Sequence, residues 1–212
     1  MPKILTPNDV LQFRQRLCDL ALKAFAEQGV EGMSLRGLAA AAGCSRTTPY
    51  RYFKNKADIL AAVRQAQFQR MADDAEKVAR HASDPDERLV ALARAYLSFA
   101  MATPDAYRVM YSVNQRDEQR YPELVRQINR AQQPMMTAVD EAIAKGSIKG
   151  DPVNVVHVLW AGLHGIISLH LADKLHMGRD IEELAEVMIR SLSRAVASKP
   201  SAQPPTRRLL EA

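Results

Sequence analysis

The stretch Gly43–Lys56, GCSRTTPYRYFKNK, decides how the chain is read. Ser45 is a helix-capping residue, and the basic and aromatic run behind it looks like a short helix. Pro49 stands four residues past that serine. Proline has no N–H and strains a helix interior. With Ser45 as the cap, Pro49 is the fourth helical residue, and the missing N–H is the one that would bond back to the Ser45 carbonyl. One bond is lost at the helix edge. The spacing therefore predicts a short helix with an irregular first turn. Thr48, placed before the proline, is expected to lean towards extended geometry.

Just upstream, Ser34 can cap LRGLAAAA, and Gly43 can end that helix because it accepts a positive φ. Apolar or small residues at Leu38, Ala39, Ala42, Cys44, Pro49 and Tyr52 give the two segments a common inner side. Ala39 is small enough for a close crossing. Two short capped helices around a glycine turn make a helix–turn–helix. On the outer side, Arg46, Thr47 and Thr48 fall in the first turn, where side chains of a recognition helix meet base edges. Arg36 is a further base-reading candidate. Tyr50, Arg51, Tyr52 and Lys56 are candidate phosphate donors, together with the capped helix starts at Ser34, Ser45 and Asn55. Phe53 reads as core.

Charge points to the same quarter of the chain. The protein has 212 residues and a net charge of +5. Residues 1–56 hold nine Lys/Arg and four Asp/Glu, so the whole excess lies there. A basic segment on an otherwise balanced chain suits a polyanion such as nucleic acid; the alternative is a solvated basic face. Cys18 and Cys44 have no metal-finger spacing and read as small buried residues in a reduced compartment. The N-terminus, MPKILTPNDV, lacks a signal pattern, so a cytoplasmic protein is expected.

Start and stop signals cut the chain into about nine helices, an all-α fold. The first runs from near Asn8 to Gln28, with Gly29 as its stop. The second and third are the helix–turn–helix, and Asn55 caps the fourth. Asp84-Pro85, Thr103-Pro104 and Asp151-Pro152 each pair a cap with a proline start, and Asp180 with Glu183 opens the ninth. Tyr121-Pro122 opens a seventh helix in which Pro134 predicts a kink or break. The expected organisation is a DNA-binding domain over 1–54, a ligand-binding and dimerisation domain over 55–197, and a disordered tail over 198–212. Residues 152–172 carry no formal charge and are long enough to span a bilayer. Asn154, His157, His164, Ser168 and His170 are scattered through them and no second span exists. They read as a helix buried on most sides, and no membrane association is expected.

Ala21–Val63 resembles the DNA-binding domain of TetR-family transcriptional regulators. Phe25, Gly29, Ser34, Leu38-Ala39, Gly43, Ser45, Tyr50, Phe53, Lys56 and Leu60 carry the resemblance. The family usually has an aliphatic residue where Pro49 stands. A proline there, together with Trp160 and His164-Gly165, resembles a subgroup with a Trp/His-Gly C-terminal domain. The resemblance implies a bacterial homodimer on a palindromic double-stranded operator. It also implies a small-molecule effector that releases DNA, and a dimer seam made by the last two helices. Most such proteins are repressors and some activate.

The last two helices are apolar enough to form a seam between two chains. Candidate effector-binding residues are Tyr96, Phe99, Tyr107, Met110 and Tyr111. Met135, Met136, Trp160 and His164 extend that set. Methionine and aromatic residues suit adaptable apolar sites and plain cores alike. An apolar or aromatic ligand is expected. His157, His164, His170 and His176 are six or seven residues apart, too far for one ion on one helix. No nucleophile–base order or phosphate loop is present, so neither a metal, a cofactor nor an enzyme is expected. The alternatives are a helical small-molecule-binding protein or enzyme with a vestigial helix–turn–helix, and a DNA binder without ligand.

Overall fold

The computed structural model describes residues 6–111, 118–176, 178 and 180–197. Among them there are eight α-helices and no strand. These are α1 (Pro7–Gly32), α2 (Leu35–Ala41), α3 (Lys56–Ala79), α4 (Pro85–Ala102), α5 (Pro104–Tyr111), α6 (Pro122–Lys145), α7 (Pro152–Leu171) and α8 (Ile181–Ala197). Two single 3-10 turns, Pro49–Arg51 and Glu118–Arg120, lie between them. The fold is all-α, with one α-helix fewer than expected. The segment after Ser45 is wound as 3-10 turns instead. The expected tail, 198–212, lies outside the described residues.

Side-chain oxygens start most of the helices by taking amide protons that have no partner within the helix. Thr6 and Asp9 form a reciprocal capping box on α1. Ser34 Oγ accepts from Gly37 N at 3.1 Å, Asp151 Oδ1 from Asn154 N at 3.0 Å, and Asp180 Oδ1 from Glu183 N at 2.8 Å. Asn55 Oδ1 accepts from Asp58 N at 2.9 Å, and Asp58 Oδ2 accepts from Lys54 N at 3.0 Å. Asn55→Ala is expected to cost about 1 kcal/mol, read as a lower denaturant midpoint with an unchanged slope.

Two local expectations differ from the structure. Thr103 does not cap α5 with its hydroxyl, which donates to the Phe99 carbonyl at 2.7 Å. A threonine hydroxyl can bond back to the preceding turn, and here the end of α4 offers it an acceptor. Pro134 does not break α6, which runs unbroken from Pro122 to Lys145. The proline removes one donor, and the rest of the ladder continues. Gly29 behaves as expected. Its φ of 72° ends the regular helix, and one further turn reaches Gly32.

Packing divides the chain into two compact units. The first holds Met1–Ser83 and Ala91–Pro134, and the second Asp84–Val90 and Met135–Ala212. They cut across the expected boundary at 54/55 because α5 packs onto α1 and α3. Val109 of α5 joins a core formed by Leu17, Ala21 and Phe25 of α1, Leu38 of α2, Phe53, and Ile59 and Val63 of α3. Each large side chain buried there contributes roughly 1.5–3 kcal/mol. Cys18 lies in the same core, and burial pushes its thiol up to about 11, which leaves it unreactive. Along α3, Arg130 of α6 forks onto Glu76 (both bonds 2.6 Å) and reaches Asp73 at 2.6 Å.

In the second unit α7 packs on α8. Val155, Leu163 and Ile167 are buried on α7, as are Ile181, Ala185 and Ile189 on α8. Asp84 and Asp86, at the start of α4, both pair with Lys145. Helix α7 is not buried on most sides, contrary to expectation. Val158 is 52% exposed, and Val153, Trp160 and Leu169 are also exposed. It is, among the described residues, the one helix long and apolar enough to cross a membrane.

Candidate nucleic-acid interface and effector site

The turn after α2 is built by its glycine. Gly43 has φ 67°, its N–H donates to the Ala40 carbonyl at 3.1 Å, and Cys44 N–H donates to the Ala39 carbonyl at 3.0 Å. These two bonds make a Schellman motif, which needs a left-handed residue at this position. A Cβ on Gly43 would meet nothing within 4 Å, so the requirement is on the backbone alone. Ala39 is buried, as expected of a close crossing.

The chain then winds by threes. Thr48 N–H donates to the Ser45 carbonyl, Arg51 N–H to the Thr48 carbonyl and Tyr52 N–H to the Pro49 carbonyl, each at 3.0 Å. Thr48 is right-handed helical, at φ −59° and ψ −46°, and not extended. Its bond to the Ser45 carbonyl takes the acceptor that Pro49 cannot use, and so holds it in the turn. Ser45 Oγ hydrogen-bonds the hydroxyls of Thr47 and Thr48 at 3.0 and 2.9 Å.

The expected DNA-facing residues separate by position. Arg36, Ser45, Arg46, Thr47, Tyr50 and Arg51 are exposed, Tyr50 by 57%. Ser34 is exposed too, but its hydroxyl is taken by the α2 cap. Thr48 is half-buried. Tyr52 is half-buried, with its ring 5.4 Å from that of Phe13. Lys56 is held by Glu31, Nζ reaching its carbonyl at 3.3 Å and its carboxylate at 3.2 Å. Phe53 is core, with the Arg14 guanidinium 5.1 Å from its ring centre, a cation–π contact.

The expected effector residues fall into two groups, one in each unit. In the first unit, Tyr96 and Tyr107 join hydroxyls at 2.8 Å, and Tyr111 packs against both rings. Tyr111 also meets the Phe68 ring and donates to the Met71 sulfur at 3.8 Å. Burial pushes the Tyr107 phenol well above its ordinary value, so it stays protonated. Phe99 and Met110 are buried. In the second unit, the Trp160 and His164 rings meet at a tilt, with ring centres 5.8 Å apart. Burial holds the His164 imidazole below its ordinary value. Met135 and Met136 are half-buried.

A contact outside those lists links helix starts far apart in sequence. Tyr121, at the head of α6, donates to Asp58 Oδ1 at 3.1 Å, across 63 positions. Six residues further along α3, Arg64 is buried and pairs with Glu118 at 2.5 Å. Residues 118–121 therefore bind the first and third turns of the helix that follows the recognition segment.

An all-α chain with a capped helix–turn–helix, basic and exposed on one side, defines the class of helical DNA-binding regulators. The chain matches the family model "Bacterial regulatory proteins, tetR family" over residues 17–63 and "Tetracyclin repressor-like, C-terminal domain" over 89–192. It belongs to the TetR family. It is 32% identical over 109 residues to the HTH-type transcriptional regulator BetI of Rhizobium meliloti, covering 50% of this chain and 54% of the relative. It is 38% identical over 58 residues to AcrR of Shigella flexneri, covering 27% of each. The alignments thus span about half, or less, of these relatives' own lengths. Among solved structures, a protein of unknown function from Rhodococcus sp. RHA1 is similar, with TM-score 0.76 and 29% identity, covering 88% of this chain and 96% of that one. FadR of Bacillus subtilis, solved in complex with stearoyl-CoA, shares the fold at TM-score 0.73 and 18% identity, with 84% and 97% covered.

Proposed function

We infer that the protein is a sequence-specific, DNA-binding transcriptional regulator, a repressor released from a palindromic operator by a small apolar or aromatic effector. The observation that carries this reading is the exposed set Arg36, Arg46, Thr47, Tyr50 and Arg51 on a capped helix–turn–helix in the basic quarter of the chain. Residues 1–54 supply the DNA-binding head, and 55–197 supply effector binding and dimerisation. Arg36, Arg46 and Thr47 read bases. Ser34, Ser45, Tyr50, Arg51 and the released Lys56 face phosphates, while Thr48 and Tyr52 set the segment's inner edge. The tyrosine cluster on α4 and α5 and the Trp160–His164 pair are the effector-binding groups. The exposed apolar side of α7 and its neighbour α8 form the homodimer seam. The reading places the protein in the bacterial cytoplasm.

The test is binding to the DNA beside the protein's own gene at increasing salt. Affinity is expected to fall with a log–log slope near −0.9 for each phosphate neutralised. Monomers with no DNA affinity at low salt, or substrate turnover, would overturn the reading.

Coupling between effector and head runs through α3. Tyr121 and Glu118 hold its first and third turns, so an effector that shifts 118–121 also loosens the α3 cap behind the recognition segment. It must bind the loosened state better than the held one, or it shifts nothing. Tyr121→Phe removes one hydrogen bond to a carboxylate, worth about 1.5–3 kcal/mol. The expected results are faster amide exchange in the first turn of α3 and a Tm lower by about 3–10 °C. Unchanged exchange there would show that the contact holds nothing.

A further inference from the structure

We propose that Pro49 is a specificity-determining positioning residue. It winds the recognition segment by threes and so sets the angle at which Tyr50 and Arg51 are presented relative to Arg46 and Thr47. The inference rests on the reading of this segment as the one that meets bases.

Three observations carry it. The first is the hydrogen bonding. The N–H groups of Thr48, Arg51 and Tyr52 reach three residues back, each at 3.0 Å, in a turn at Ser45–Thr48 followed by the 3-10 turn at Pro49–Arg51, and a four-residue bond appears at Phe53, which donates to the Pro49 carbonyl at 3.0 Å. In an α-helix capped by Ser45, residue 49 would donate to the Ser45 carbonyl. Proline cannot, and Thr48 takes that carbonyl. The second is anchorage: Pro49 is among the most completely buried side chains of the chain, so its ring is held in the core. The third is the burial pattern. Pro49 is buried and Tyr52 half-buried, while Thr47 and Tyr50 are both exposed. In these two pairs, side chains three apart share a side, as they do in a 3-10 helix, although the exposed Arg46 and the buried Pro49 do not.

The consequence is geometric. An α-helix advances by about 100° and about 1.5 Å per residue, and 3-10 winding by about 120° and about 2.0 Å. In an α-helix Tyr50 would lie between the rows of Arg46 and Thr47, about 40° from the first and about 60° from the second. Wound by threes, Tyr50 falls in line with Thr47 and about 120° from Arg46. The step from Arg46 to Tyr50 is also about 2 Å longer along the axis. A phenol turned that far from the arginine meets a different phosphate, and so sets Arg46 and Thr47 against a different base step. An N–H at position 49 therefore changes which sequence is preferred, and not merely how well the domain folds.

The experiment is selection of bound duplexes from a random DNA library by the full-length protein, Pro49→Val and Pro49→Ala. Valine keeps much of the buried volume and restores the N–H, and alanine restores it with no β-branch. The expected result is a changed half-site, with each protein preferring its own selected duplex over the other's by about tenfold or more. Affinity for mixed non-specific DNA is expected to fall less than affinity for the natural half-site, since only Tyr50 and Arg51 among the phosphate contacts are re-aimed while Ser34, Ser45 and Lys56 keep their places. The residue-49 amide of the variants is expected to be protected from exchange. If the natural protein and either folded variant select the same half-site with the same ranking, the inference is overturned while the regulator reading stands. If the natural protein enriches no sequence at all, the base-reading assignment itself falls.

Discussion

Val158→Asp is expected to convert the dimer to monomers and to abolish operator binding at concentrations where the natural protein is bound. Val158 is 52% exposed, on a helix with no formal charge anywhere along its length. Ala161 and Leu169, three and eleven positions on, share its exposure, so the apolar surface is a stripe and not an isolated valine. Contiguous apolar surface of this kind marks an interface. In a twofold seam each aspartate is desolvated and faces its own copy. Taking a carboxylate out of water costs several kcal/mol, and no cation on α7 compensates it. The dimer dissociation constant is therefore expected to rise by about a thousandfold or more. Operator affinity follows, because a monomer holds only one half-site. Light scattering after size exclusion reads the first effect and a gel shift the second. A dimer that survives the substitution would place the seam elsewhere.

Arg46→Ala is expected to give the second large effect, restricted to the operator. Arg46 is exposed in the first turn of the recognition segment. A bidentate arginine–guanine contact is worth about 1–3 kcal/mol of discrimination. A palindrome repeats it, so the expected loss is about 2–6 kcal/mol on the operator and far less on shuffled DNA. Fluorescence anisotropy on both duplexes separates the two. Equal losses on both would make Arg46 a phosphate contact. Lys56→Ala is expected to behave in that second way, and more weakly, because Lys56 spends its charge on Glu31 in the free protein.

Much of the site was legible because it is written in short-range chemistry. Caps act over two or three residues, and Ser34, Asn55, Asp151 and Asp180 all accept the amide protons that their spacing foretold. Gly43 is left-handed because a Schellman turn admits little else. What was not legible depends on what lies across the fold. The Thr103 hydroxyl turned back to Phe99, although its sequence context matched that of working caps. The bond between Tyr121 and Asp58 joins two helix starts 63 positions apart, and nothing in either neighbourhood announces the other. The effector-binding set was chosen by residue type, and type does not say which tyrosines converge. The structure brings Tyr96, Tyr107 and Tyr111 together.

The sequence by itself determined the all-α class, the helix–turn–helix, most of its caps and the confinement of positive charge to the first quarter. Each of these follows from neighbours within one or two turns, or from composition. It also flagged Pro49, since the missing N–H is a covalent fact. Only the tertiary structure decided how the chain absorbs that loss. The proline ring is buried and Thr48 takes the vacant carbonyl, so the segment is a Ser45–Thr48 turn followed by a 3-10 turn at Pro49–Arg51, where an α-helix with an irregular first turn was expected. Only the tertiary structure decided the face of α7 as well. A helix apolar all round carries no asymmetry to say which side is buried, and packing against α8 covers one side while leaving Val158 and Leu169 outside.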